Sequence, residues 1–95
     1  MDAIRELLAT NEAVGKLGAR TISIAEAQQL LDNRYVIVRN PRHGRVAAIA
    51  RRLVVGRTNG GRALTLVVER TREPSTWLII TGWEATARER KLLDG

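Results

Sequence analysis

No cysteine occurs in the 95 residues, which removes disulfides, thiolate metal sites and cysteine nucleophiles together. No phenylalanine occurs either, and the aromatics are two tryptophans and one tyrosine. The core is therefore expected from Leu, Ile, Val and Ala. Histidine appears once, at His43. One histidine with scattered carboxylates supplies no cluster at ligand spacing, so no metal and no cofactor are expected. Neither a Walker nor a dinucleotide glycine pattern is present. A Ser-His-Asp triad would have to use His43, and no serine sits in an elbow context. No apolar run approaches the length of a membrane span. The start, Met1-Asp2-Ala3-Ile4-Arg5-Glu6, has neither the basic nor the apolar region of a signal peptide. These absences lead to the expectation of a soluble cytoplasmic protein with no membrane partner.

Lysine is scarce as well: of sixteen basic residues only Lys16 and Lys91 are not arginine. The net charge of +6 is unevenly placed. Residues 1–38 carry four bases and five acids, residues 39–72 nine arginines against Glu69, and residues 73–95 three bases and four acids, so the three segments net −1, +8 and −1. Planar guanidinium forks suit phosphate and bases, and a clustered excess predicts a polyanionic partner, RNA first. An acidic protein partner, or a solvated face reflecting arginine-rich codon usage, would leave the same count.

At 95 residues and 44% hydrophobic content the chain reads as one globular domain over residues 1–95. The spacing of Ile4, Leu7 and Leu8 predicts a helix over 2–14, ended by Gly15 and Gly18. Ser23-Ile24-Ala25-Glu26 is a capping box that opens a second helix, stopped at Asp32-Asn33. Tyr35-Val36-Ile37-Val38-Arg39 reads as a strand, and Asn40 to Arg45 as a loop. A long strand follows over Val46 to Thr58, with a bend near Arg51-Arg52. It pairs with Ala63 to Arg70 through Gly56-Arg57-Thr58-Asn59-Gly60-Gly61-Arg62. After a turn over Thr71 to Thr76, Trp77 to Trp83 is the last strand. Thr86-Ala87-Arg88-Glu89 is a further capping box, opening a short helix through Leu93. The order α-α-β-β-β-β-α predicts an α+β domain: an antiparallel three- to four-stranded meander with two N-terminal helices and a short C-terminal helix.

The hairpin focuses the charge. With Asn59-Gly60 or Gly60-Gly61 as a two-residue turn, cross-strand pairs sum to 119 or 121, and Arg57 and Arg62 share a face. Two like charges side by side are mildly destabilising, which an anion between them would relieve; a three-residue loop would break this parity. Arg70 falls on the same face. Metal-free RNA cleavage needs a base at the 2′-hydroxyl, an acid at the leaving oxygen and cations on the phosphate. Arg57, Arg62, Arg88 and Arg90 are the candidate cations, and Glu89 the candidate proton-transfer group. His43, Arg52 and Arg70 are candidate RNA contacts. Each has a plainer reading: His43 a loop histidine, Glu89 the capping partner of Thr86, Arg52 a solvated strand position. Trp77 and Trp83, six apart, share a face if the strand is regular, either stacking on bases or filling the core.

The run Gly56-Arg57-Thr58, Gly61-Arg62-Ala63-Leu64, Val67-Val68, Trp77-Leu78-Ile79-Ile80-Thr81, Ala85-Thr86 and Arg88-Glu89-Arg90 resembles the BrnT-like toxins, ribonucleases of bacterial type II toxin–antitoxin modules with a RelE-like fold. It covers residues 46–93. The resemblance implies an endoribonuclease that inhibits translation by cutting RNA, ribosome-associated mRNA included, and a cognate antitoxin partner. It maps these roles onto Arg57, Arg62, Arg88, Glu89 and Arg90. Two positions depart from the family. Lys16-Leu17-Gly18 stands where a Lys-His-Gly step is usual, and Gly82-Trp83-Glu84 stands where an arginine often precedes Ala-Thr. The alternative is a degenerate toxin, a non-catalytic module of the same fold that binds RNA or an antitoxin.

Overall fold

The computed structural model describes residues 4–39 and 51–94. Among these residues five strands form one sheet in the order β1-β5-β4-β3-β2. They are β1 (Glu6–Ala9), β2 (Tyr35–Arg39), β3 (Arg51–Arg57), β4 (Ala63–Arg70) and β5 (Thr76–Glu84). The helices are α1 (Asn11–Gly18), α2 (Ile24–Gln29), which runs into a 3-10 turn at Leu30–Asp32, and α3 (Ala87–Asp94). The domain is α+β as expected, but the sheet is mixed: β2 to β5 form the antiparallel meander and β1 adds to β5 in parallel.

The expected helix over 2–14 is the main departure. Residues 6–9 are strand β1, and the helix begins only at Asn11, where the Thr10 hydroxyl accepts from the Ala13 amide at 3.1 Å. Ile4, Leu7 and Leu8 fit helical spacing, yet the chain buries Leu7 and leaves Leu8 45% exposed, the in–out alternation of a strand. Leu7 stands opposite Trp77 in the parallel register. The outer edge of β1 is blunted by Gln28, whose side-chain amide donates to the Leu7 carbonyl at 3.0 Å. The second helix keeps its capping box: Glu26 N–H donates to Ser23 Oγ and Ser23 N–H to Glu26 Oε1, at 3.0 and 3.1 Å.

One sheet face carries Leu7, Val54, Leu64, Leu66, Val68, Trp77 and Ile79 against Ala13 and Leu17 of α1, Ile22, and Ala27 and Leu30 of the α2 segment. α1 can approach β5 this closely because residue 82 is glycine: a Cβ there would lie 2.9 Å from the Thr65 carbonyl oxygen and 3.0 Å from Leu17 Cδ2. The opposite face packs Val55 and Ala63 against Ala85 and Leu93, with Val36 alongside, so α3 covers the hairpin end of that face. The core is mostly Leu, Ile, Val and Ala, as expected, but its largest side chain is Trp77.

Two parities differ from expectation, each by one residue. Arg57 pairs with Ala63 and Gly56 with Leu64, so the pairs sum to 120. Thr58 and Arg62 close the loop, with Thr58 N–H donating to the Arg62 carbonyl at 2.9 Å. Gly61 N–H bonds the Thr58 carbonyl at 2.9 Å, and Gly61 has φ +87°. The loop therefore has three residues, with glycine at the left-handed position this loop length requires. Arg57 and Arg62 consequently face opposite sides of the sheet. The second shift lies in β5, where Val67 pairs with Thr81 but Val68 with Ile79. The extra residue, Ile80, is a bulge and reverses the alternation beyond it. Trp77 faces α1 and α2, while Trp83, opposite Thr65, faces α3. The two tryptophans do not share a face.

Candidate functional site

Arg62 is held on the α1–α2 side. Its guanidinium bonds Glu84 Oε1 at 2.9 Å, Glu26 Oε2 at 3.4 Å, and the carbonyls of Thr21 and Arg20 at 2.7 and 3.3 Å. Thr21 presents its carbonyl from a left-handed backbone, φ 57°. The bond to Glu84 is the leading cause that holds Arg62 above the ordinary arginine range, against partial burial. Arg62 therefore ties the α1–α2 connection, α2 and β5 to the hairpin, and its donors are occupied by the fold.

Arg57 is placed differently. Its Nη1 donates to the Gly61 carbonyl at 3.0 Å, and its Nη2 lies 3.4 Å from Asp94 Oδ1. Both side chains of that pair are exposed, 39% and 67%. They border an open cleft of about 390 Å³ between the hairpin loop and the end of α3, and Asn33 and Arg34 are part of its wall. Asn33 fixes this wall: its side-chain amide donates to the Arg57 carbonyl and to Asn59 Oδ1, each at 3.0 Å. Asn33, Arg34, Asn59 and Asp94 were not among the expected site residues. Their only advance signal was the turn chemistry at Asp32-Asn33 and Asn59-Gly60.

α3 starts at the expected capping box, with Glu89 N–H donating to Thr86 Oγ1 at 3.2 Å and Thr86 N–H to Glu89 Oε1 at 2.9 Å. The same oxygen accepts from the buried Thr65 hydroxyl at 2.9 Å and from the Trp83 indole N–H at 3.0 Å. Burial pushes the Glu89 carboxyl up, but bonds from the Thr86 amide, Trp83, Thr65 and the Thr86 hydroxyl outweigh it and hold the pKa below the usual glutamate value. A carboxylate so stabilised is a weak proton acceptor at neutral pH. Arg88 and Arg90 flank it in sequence and are exposed; among the described residues neither has a carboxylate partner.

The remaining candidates lie elsewhere. Arg52 is the register partner of Arg39 and of Val68, and Arg70 pairs with Trp77. These positions are on the α1–α2 face at the end of the sheet away from the hairpin. Arg52 donates to the Arg51 carbonyl at 2.8 Å, and the Arg70 guanidinium sits 5.4 Å from the Trp77 ring centre. His43 lies outside the described residues. The structure thus brings Arg57, Arg34 and α3 together, and separates them from Arg62, Arg52 and Arg70. No group of three metal-ligating side chains occurs among the described residues, and none of their helices is long and apolar enough to cross a membrane.

The Glu89 contacts carry a pH prediction. A carboxyl whose folded pKa lies below its unfolded value contributes stability that is complete above the unfolded value, about 4.3 for glutamate. That contribution is lost as pH falls through the folded pKa. Glu89→Gln should lower stability at neutral pH by on the order of 1 kcal/mol. The melting temperatures of the two proteins should converge on acidification. Parallel curves down to strongly acidic pH would contradict this assignment.

Compared with protein-family models, with curated proteins and with solved structures, the chain matches none.

Proposed function

We propose that this chain is a non-catalytic module that binds single-stranded RNA through the hairpin and α3. The observation that carries the reading is the open cleft of about 390 Å³ at the hairpin, which both Arg57 and Arg34 line. The exposed Arg88, Arg90 and Lys91 lie on the helix that ends at it. Arg88 and Arg90, two residues apart, lie on opposite flanks of the helix, so the exposed bases surround α3, and guanidinium forks and a lysine spread in this way suit a flexible phosphate backbone. The resemblance to BrnT-like toxins supplies the partner class. The geometry supports its binding half more than its cutting half: Arg62 is committed to Glu84 and Glu26, and Glu89 is ionised and saturated with donors on one oxygen.

The test is incubation of purified protein with end-labelled single-stranded RNA in the presence of a chelator. The expected result is a retained complex from which full-length RNA is recovered. Discrete cleavage products that vanish in Glu89→Gln would restore the ribonuclease reading. Failure to retain RNA at low salt would overturn the RNA reading and leave an acidic, antitoxin-like protein as the partner to seek.

A further inference from the structure

Asp94 is oddly placed for a residue that only serves the fold. It lies in the last turn of α3. Its side chain is 67% exposed, and its one described bond is the 3.4 Å approach to Arg57. That distance is long for a charge-assisted pair, which closes to about 2.8 Å when well formed. The other hairpin arginine shows what a structural pair looks like here: Arg62 and Glu84 meet at 2.9 Å, with backbone carbonyls completing the guanidinium's bonds. Asp94 instead contacts an arginine whose other nitrogen is anchored on the Gly61 carbonyl, at the mouth of an open cleft that also holds Arg34.

We propose that the Arg57–Arg34 cleft is a phosphate site for one nucleotide of a single strand, and that Asp94 occupies it in the absence of ligand. This rests on the RNA-binding reading above and adds the place and the control of one contact. Arg57 keeps its anchor on Gly61, and its Nη2 exchanges a single carboxylate oxygen for a phosphate oxygen. A phosphodiester is not tethered to α3, so its two anionic oxygens are free to contact Arg57 and Arg34 together, whereas the Asp94 carboxylate contacts only Arg57 among the described residues. The carboxylate sets a threshold: isolated anions meet an occupied arginine, while a strand held elsewhere on α3 displaces Asp94 locally.

The measurement is the affinity of a short single-stranded RNA for the wild type and for Asp94→Asn, Glu73→Gln, Arg57→Ala and the Arg57→Ala/Asp94→Asn double variant. Glu73→Gln makes the same charge change at an exposed side chain on the turn before β5. Asp94→Asn should bind about two- to fivefold more tightly than wild type, the worth of an exposed ion pair. It should exceed Glu73→Gln, and the gain should vanish when Arg57 is already alanine. Asp94→Asn no tighter than Glu73→Gln, with wild type still binding RNA, would overturn the cleft and leave the RNA reading standing. A gain that persists without Arg57 would overturn the cleft too. A gain toward a polyglutamate peptide but not toward RNA would replace phosphate by carboxylate. No salt-sensitive RNA binding by any of the proteins would overturn both proposals.

Discussion

Replacing Trp77 by alanine is expected to lower stability by about 3–5 kcal/mol, the usual loss for a large aromatic in a packed core. In a domain of this size the melting temperature should fall by more than roughly 10 °C. The ring is 1% exposed and is the largest fully buried side chain. It sits where the parallel strand β1 joins the meander, opposite Leu7 on one side and Arg70 on the other. No phenylalanine elsewhere can take up the lost volume. Trp77→Phe separates packing from polarity. The indole N–H of Trp77 is buried without an acceptor among the described residues, and such a donor costs about 1–3 kcal/mol. Phenylalanine removes that unmet donor and keeps a ring beneath Arg70, so its net cost should stay near 1 kcal/mol. Urea unfolding of both variants decides the matter, and Trp77→Phe as damaging as Trp77→Ala would mean the N–H has a partner.

The combined variant Arg57→Ala/Arg88→Ala/Arg90→Ala should lose about two decades of RNA affinity at low salt. Each exposed guanidinium–phosphate contact is worth on the order of 1 kcal/mol, and 1.4 kcal/mol is tenfold. Its fold should hold, because Arg88 and Arg90 are exposed and Arg57 makes only its loop bond and the loose pair to Asp94. Arg5→Ala removes one exposed charge near β1, away from the cleft, and should change affinity little. Arg62→Ala is the instructive contrast. It removes the clamp on Glu84, Glu26 and the Thr21 carbonyl, so its first effect should be on melting temperature. An equal affinity loss from Arg5→Ala would reduce the surface to net charge alone.

What could be read in advance was local. Both capping boxes involve side chains three residues apart and were visible as Ser23-x-x-Glu26 and Thr86-x-x-Glu89; the meander strands were visible as short β-branched runs between turn residues. What could not be read depended on partners distant in sequence. Ile4, Leu7 and Leu8 suit a helix or a strand; pairing with Thr76 to Ile79, some seventy residues on, makes residues 6–9 a strand. One residue of loop length put Arg57 and Arg62 on opposite faces, and one bulged residue, Ile80, did the same to Trp77 and Trp83. The side-chain period of a strand is two, so a single insertion reverses every later position. The charge count misled for a related reason. The basic middle segment looked uncompensated, yet Glu26, Glu84 and Asp94 from the flanking segments fold onto Arg62 and Arg57. Net charge by segment says nothing about which acids return in three dimensions.

The most direct test of the central claim is the salt dependence of RNA affinity, measured from about 50 to about 300 mM NaCl on wild type and the triple arginine variant, with the RNA recovered afterwards. Each phosphate contact on a single strand contributes a slope of about −0.7 in log K against log salt. The account predicts full-length RNA throughout, a wild-type slope of about −2 or steeper, and a slope about 2 units shallower in the variant. Equal slopes in the two proteins, a flat wild-type slope, or shortened RNA would contradict it.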